Sequence, residues 1–326
     1  METGSRAEPV LLFTKISLAI LCRGVYTESR IGLCRIYIES RGHFSVKKRI
    51  FAVVLSFVLL LGALCVPAFA EEQLRYVVLG DSIAHGSGLS NPTDAVYGRI
   101  VADTNGYAYE NYAVPGHTTQ AMLRRMENEK VAGAIADADI ISISIGGNNF
   151  LLDNLGAMLF NGIVKKDFSR MDTIAEKYDA DLRQIVEKIL NANPDVTIVL
   201  QTIYNPQTAY VGMVYQQGAD RLNAVIETVA ADNADSVLVA DVAGALNTRP
   251  DDFAKDGIHP SAQGNEKIAV VVLKTLADAG LGTATEPVIN TPGKDMPGVR
   301  GNMFFVNFFG FVLNMLGNLY AVVRIR

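Results

Sequence analysis

Between residues 75 and 280 short apolar runs alternate with longer amphipathic ones, and this alternation restricts the possible architectures more than any other feature of the chain. The runs 76–79, 140–145, 196–200 and 237–240 are rich in Val, Ile and Leu and are bounded by Gly, Asp, Asn or Pro. That is the pattern of strands buried on both faces. Residues 107–114 make a weaker, more polar strand candidate, suited to a sheet edge. Segments 118–128, 174–190, 212–233 and 261–279 carry apolar residues at three-to-four spacing with charges opposite, which predicts helices. Strands taking turns with helices predict a doubly wound α/β/α sandwich on a parallel sheet.

The flanks differ in kind. Residues 50–66 contain no charge, follow Lys47-Lys48-Arg49 and run into Pro67-Ala68-Phe69-Ala70. A basic stretch, an apolar stretch and a small-residue cleavage site are the parts of a secretory signal, so export is expected, with cleavage after residue 70. Cys65 would suit a lipoprotein signal, but the bulky Leu64 before it does not. The 45 residues ahead of Val46 do not belong to such a signal, and translation is expected to begin at Val46. Residues 281–300 are rich in Thr, Pro and Gly and read as a linker. Beyond it, 303–323 carries no charge and is followed by Arg324 and Arg326. A helix of that length rises about 30 Å, enough to span a bilayer, with the arginines on the cytoplasmic side. Asn307, Asn314 and Asn318 would share one face of it, near Gly310 and Gly317. Docking on the folded domain or lying in the membrane interface are the other readings of this tail.

Cleavage changes the charge balance. Of 29 Lys and Arg, 9 lie in residues 1–70, against 4 of 34 Asp and Glu, which leaves 20 basic and 30 acidic residues, a net −10. A body that acidic is unsuited to nucleic acid or to anionic surfaces. Cys22, Cys34 and Cys65 all precede residue 71, so the remaining chain has no disulfide, thiolate nucleophile or cysteine metal ligand.

A candidate site starts at Gly80-Asp81-Ser82-Ile83, directly after the first strand. Open α/β sheets place their sites at the carboxyl ends of strands, and a glycine there permits a tight turn. Asp and Ser also cap helices, so the motif alone is weak. A serine hydroxyl needs a base, and only His85, His117 and His259 remain after residue 70. His259 follows Asp256 by three residues, a spacing that lets a carboxylate orient the ring. His85, one helical turn from Ser82, is the competing base and has no acid at that offset. Two more loops follow strands: 111–118, with Gly116, and 144–149, with Gly146, Asn148 and Asn149. Either can offer N–H groups to a developing oxyanion.

Taken together, Gly80-Asp81-Ser82-Ile83, Gly116, Gly146-x-Asn148-Asn149 and Asp256-x-x-His259 resemble the four spaced blocks of the SGNH (GDSL-type) hydrolases, in order, over about residues 74–280. The resemblance implies a flavodoxin-like three-layer α/β/α sandwich of about five parallel strands and ester hydrolysis through an acyl-enzyme, with no cofactor or metal. It assigns Ser82 as nucleophile, His259 as base and then acid, and Asp256 as its orienting partner. The oxyanion hole would combine the Ser82 and Gly116 backbone N–H groups with the Asn148 amide. Ile83 stands where the family often has Leu, and Asn149 where an Asp commonly follows the oxyanion Asn.

The expected partner is a small-molecule, lipid or acylated-sugar ester. Residues 150–167, read as a loop rich in Leu, Met and Phe, either line an acyl site or pack on the sheet. The absence of Trp disfavours an extended sugar-stacking platform. A metal-dependent hydrolase using His85, His117 and His259 lacks any His-Glu-x-x-His spacing. A non-catalytic binding protein would not need the full set of reactive residue types.

Overall fold

The computed structural model describes residues 73–297 apart from 154 and 248, together with Phe51, Val54 and Leu55, which are helical. Apart from those three residues the proposed signal lies outside the described residues, as does the whole of the apolar run 303–323. Among those that are described, no helix is long and apolar enough to cross a membrane.

Five strands form one sheet in the order β2-β1-β3-β4-β5, every neighbouring pair parallel. They are β1 (Arg75–Gly80), β2 (Ala108–Asn111), β3 (Ile140–Ser144), β4 (Thr197–Gln201) and β5 (Val237–Ala240). The weak candidate at 107–114 becomes the edge strand β2, most of whose residues are exposed.

Parallel strands require crossovers, and these cover both faces. From β1 the chain runs through α1 (Ser82–His85), α2 (Pro92–Ala95) and α3 (Tyr97–Asn105). It returns from β2 through α4 (Thr119–Arg125) and α5 (Glu129–Ala136). After β3 come α6 (Gly147–Leu151), α7 (Leu155–Phe160), a π turn at Asn161–Lys165 and the long α8 (Ser169–Ala192). Helix α9 (Ala209–Asp232) joins β4 to β5, and α10 (Val242–Leu246) and α11 (Ala262–Asp278) follow.

Strand alternation sorts the core into two layers. Val77, Leu79, Ile141, Ile143, Ile198 and Leu200 pack against α4, α5, α8 and α9. Tyr76, Val78, Ile140 and Val199 face α3, α10 and α11. Each fully buried Leu, Ile or Val contributes roughly 1.5–3 kcal/mol by leaving water, so the two layers hold the sandwich together. The connection from β1 runs to β2 on one side and that from β3 runs to β4 on the other, and the crevice that this divergence opens lies at the carboxyl ends of β1 and β3.

Three local readings change. The helix expected over 118–128 stops at Arg125, and Asn128 caps a second helix by accepting from the Lys130 N–H at 3.2 Å. Residues 150–167, expected as a loop, are largely helical because Phe150, Met158, Leu159 and Ile163 are buried against the α8–α9 side of the sheet. Helices α1 and α2 have four residues each, too few to show helical periodicity in sequence. Residues 281–297, read as a linker, lie along the body and hydrogen-bond to it, from Val288 N–H on Thr104 Oγ1 at 2.9 Å to Met296 N–H on the Gly88 carbonyl at 2.9 Å.

Candidate active site

The geometry around Ser82 begins with a glycine that nothing else can replace. Gly80 sits at φ 140°, and a Cβ there would fall 2.2 Å from the Ser144 carbonyl oxygen. The Asp81 N–H donates to that same carbonyl at 3.0 Å, so the first turn after β1 is pinned to the end of β3. Asp81 then caps α1, its Oδ1 accepting from the Ile83 N–H at 3.0 Å, while Gly86 in the left-handed region ends the helix. Ser82 is thus the first residue of a one-turn helix over the carboxyl edge of the sheet.

Burial pushes the Asp81 carboxyl up to about 7, against the pull of the Ile83 N–H and of charge on His259. The folded chain therefore keeps a proton that the unfolded chain, with an ordinary value of 3.8, releases between about pH 4 and 7. This group alone makes stability fall as pH rises through that window. Asp81→Asn keeps a cap acceptor without the ionisation. It should flatten that part of the melting-temperature profile between pH 4 and 8, and an unchanged slope would show that Asp81 is not its source.

The Gly146-x-Asn148-Asn149 block is built around Gly146, at φ 127°, whose missing Cβ makes room for Ile203 and Tyr178. Tyr178 donates its hydroxyl hydrogen to the Ile145 carbonyl at 3.0 Å and fixes the strand end. Asn148 gives one amide hydrogen to the His117 carbonyl at 2.9 Å, which leaves the other available. Asn149 accepts from the Thr119 N–H at 3.1 Å and donates to Thr119 Oγ1 at 2.7 Å. The Thr119 hydroxyl in turn donates to the buried Asp181 at 2.6 Å. An Asp at 149 would set an acceptor against an oxygen whose only hydrogen is already engaged, which is why Asn suits this position.

The Asp256-x-x-His259 block is a tight turn. Asp256 Oδ1 accepts from the Ile258 and His259 N–H groups at 2.9 and 3.0 Å, and Oδ2 lies 2.5 Å from His259 Nδ1. Burial alone would raise the Asp256 carboxyl. The hydrogen bond from the imidazole and those from the two backbone N–H groups outweigh it and hold the group below the ordinary carboxylate range. With Nδ1 engaged, Nε2 is the free nitrogen. Tyr204 donates to the Ile258 carbonyl at 2.7 Å, and Gln207 to that of Gly257 at 3.2 Å, so the segment after β4 braces the turn. A Cβ on Gly88 would come within 2.1 Å of the Pro260 carbonyl and 3.2 Å of His259 Cβ, so the turn also packs directly on the loop after Ser82.

Ser82, Asn148 and His259 line one cavity of about 150 Å³, with Asp81 beside them. Its walls are mainly apolar: Ile83, Ile145, Leu151, Ile203, Tyr215 and Val242. No hydrogen bond joins the Ser82 hydroxyl to the imidazole among the described residues, a contact that tightens in serine hydrolases when substrate binds. Gly116 occupies an exposed turn at φ 82° and is not among the lining residues; its loop meets the site one residue later, where the His117 carbonyl receives the Asn148 amide. His85 is exposed, with Nδ1 3.4 Å from Ser87 Oγ, and neither His85 nor His117 lines the cavity. Among the described residues no three His, Cys, Asp or Glu side chains gather to hold a metal ion. The contributions of Thr202, Ile203 and Tyr204 were missed from sequence. Their position directly after a buried parallel strand was the available signal.

A serine, an Asp-supported imidazole and an Asn amide around one cavity at the rim of a parallel sheet define the class of the serine ester hydrolases. The model of the GDSL-like Lipase/Acylhydrolase family matches residues 78–267, and the chain belongs to that family. It is accordingly an enzyme acting on ester bonds. The chain is 23% identical over 265 residues to the uncharacterized protein YpmR of Bacillus subtilis, a match covering 72% of this chain and 99% of that one. Among solved structures, the lipase Lip_vut3 from a goat rumen metagenome is similar with a TM-score of 0.52 and 20% identity, over 65% of this chain and 99% of that one. An extracellular lipase of Streptomyces rimosus is similar with a TM-score of 0.50 and 18% identity, over 62% of this chain and 99% of that one.

Proposed function

We propose that this protein is an extracytoplasmic serine esterase for carboxylic esters with apolar acyl groups, held at the cell surface by its C-terminal segment. The observation that carries the reading is the Asp256-supported His259 ring on the wall of the cavity that Ser82 also lines. Ser82 Oγ attacks the ester carbonyl carbon while His259 Nε2 takes its proton. Asp256 keeps Nδ1 protonated and steadies the imidazolium. The negative charge that grows on the carbonyl oxygen is met by the Ser82 N–H and the Asn148 amide, with the Gly116 N–H as the third donor that the family resemblance names. Collapse of the tetrahedral intermediate expels the alcohol, which takes the proton from His259. Water then repeats the sequence on the acyl-enzyme.

The acyl preference rests on the cavity. An apolar space of this size holds a benzene ring in another protein, so a short acyl chain or an aryl group fits beside the carbonyl. The test is a series of p-nitrophenyl esters of increasing acyl length beside acetylated xylan and chitin oligosaccharides, each with and without chelator. Apolar acyl esters should be preferred, with no loss on chelation. Preference for acetylated sugars would shift the reading to a carbohydrate O-acetyl esterase, and no turnover of any ester would leave a binding role.

Export rests on the tripartite pattern at 47–70, and cleavage is checked by N-terminal sequencing of the exported protein. Membrane association rests on the uncharged run 303–323, and complete release on carbonate extraction would refute it.

A further inference from the structure

Residues 281–297 form a strap whose course runs from one edge of the sheet to the other. Tyr107, next to the start of β2, donates its hydroxyl hydrogen to the Leu281 carbonyl. Val288 and Asn290 then bond to Thr104 and Asp103 near the end of α3. The path continues alongside α3 and α11 to the carboxyl edge. There the Lys294 N–H donates to Asn91 Oδ1 at 2.8 Å and the Ser90 N–H donates to the Lys294 carbonyl at 2.7 Å. Asp295 pairs with Leu89 and accepts from the Ala262 N–H at 2.7 Å, three residues after His259. Met296 closes on Gly88, the residue packed against the His259 turn. The described chain therefore ends beside the nucleophile and histidine loops.

The same edge carries most of the exposed apolar bulk. Of five large hydrophobic side chains exposed within residues 73–297, Leu152, Phe160, Met213 and Met296 stand around the carboxyl edge, and only Val288 lies elsewhere on the strap. Leu152 follows the cavity residue Leu151. Phe160 ends α7 and Met213 lies in the first turns of α9, on which the π turn directly after Phe160 packs where Gly162 approaches Val214. We propose that this carboxyl-edge rim is a docking face for a lipid bilayer, and that the strap aims the apolar run 303–323 at the same membrane. The inference rests on the membrane association proposed above. Residues 298–302 span at most about 18 Å, so a bilayer that holds the tail lies close to the rim and far from the opposite edge. The body's net charge makes apolar insertion, rather than attraction to anionic headgroups, the source of adhesion.

The exported protein suits a direct test, because every cysteine of the chain lies at or before residue 65. A single fluorophore is attached through Leu152→Cys at the rim or Asp195→Cys just before β4, and the protein is added to phosphatidylcholine vesicles bearing a headgroup quencher. The label at 152 should be quenched at least roughly threefold more than that at 195, with no loss in 0.5 M salt. Adding Phe160→Glu and Met213→Glu should lower the signal at 152 about twofold or more while vesicle binding through the tail persists. Equal quenching at both sites, or no effect of the glutamates, overturns the docking face and leaves membrane association standing. Protein that stays off the vesicles overturns both. None of these readouts depends on ester turnover, so they are separable from the catalytic reading.

Discussion

Ser82→Ala should lower kcat/KM for a short-chain p-nitrophenyl ester by about ten-thousandfold or more, with the melting temperature nearly unchanged. The size follows from the nucleophile role proposed for Ser82: without its hydroxyl no acyl-enzyme forms there, and what survives is oxyanion stabilisation acting on water. Stability should hold because the cap of α1 is Asp81, and the Ser82 hydroxyl makes no hydrogen bond among the described residues that alanine would lose. A fluorophosphonate should attach to the peptide containing Ser82 in the parent and to none in the variant. Activity within tenfold of the parent would place the nucleophile elsewhere.

His259→Ala should cost nearly as much, about a thousandfold or more, whereas His85→Ala should stay within about threefold. The contrast is the informative part. Both histidines are near Ser82 in the chain or in space, yet only His259 has a carboxylate on Nδ1 and lines the cavity. His85 points to solvent from the last position of α1. If the two effects were reversed, the base would be His85, and the turn at Asp256 would have a structural role only. Asp256→Asn should fall between them, because it leaves the ring in place but removes the charge that steadies the imidazolium.

Much of the sheet was legible because buried parallel strands have a strong local signature. Residues 76–79, 140–145, 196–200 and 237–240 all fall on strands, within a residue or two at each end. The edge strand was weaker, since its residues answer to solvent rather than to the core. The region 150–167 was misjudged because its apolar residues are spread over three short helical pieces, none long enough to repeat a face. Residues 281–297 looked like a linker because they are rich in Thr, Pro and Gly, while what holds them is hydrogen bonding to residues about two hundred positions earlier.

Sequence alone determined the elements whose causes are local: strand and helix periods, and an Asp-x-x-His spacing short enough to close within one turn; which of Asp81 and Ser82 caps the helix it left open. Only the tertiary structure decided which loops share a cavity. It brought Ser82, Asn148 and His259 to one cavity, left His85 in solvent and Gly116 outside the lining, and added Thr202 to Tyr204 as walls and brace. The reason is physical. Periodicity and capping depend on neighbours a few residues apart, whereas the meeting of distant loops depends on strand order, and that order is set by packing two apolar faces at once.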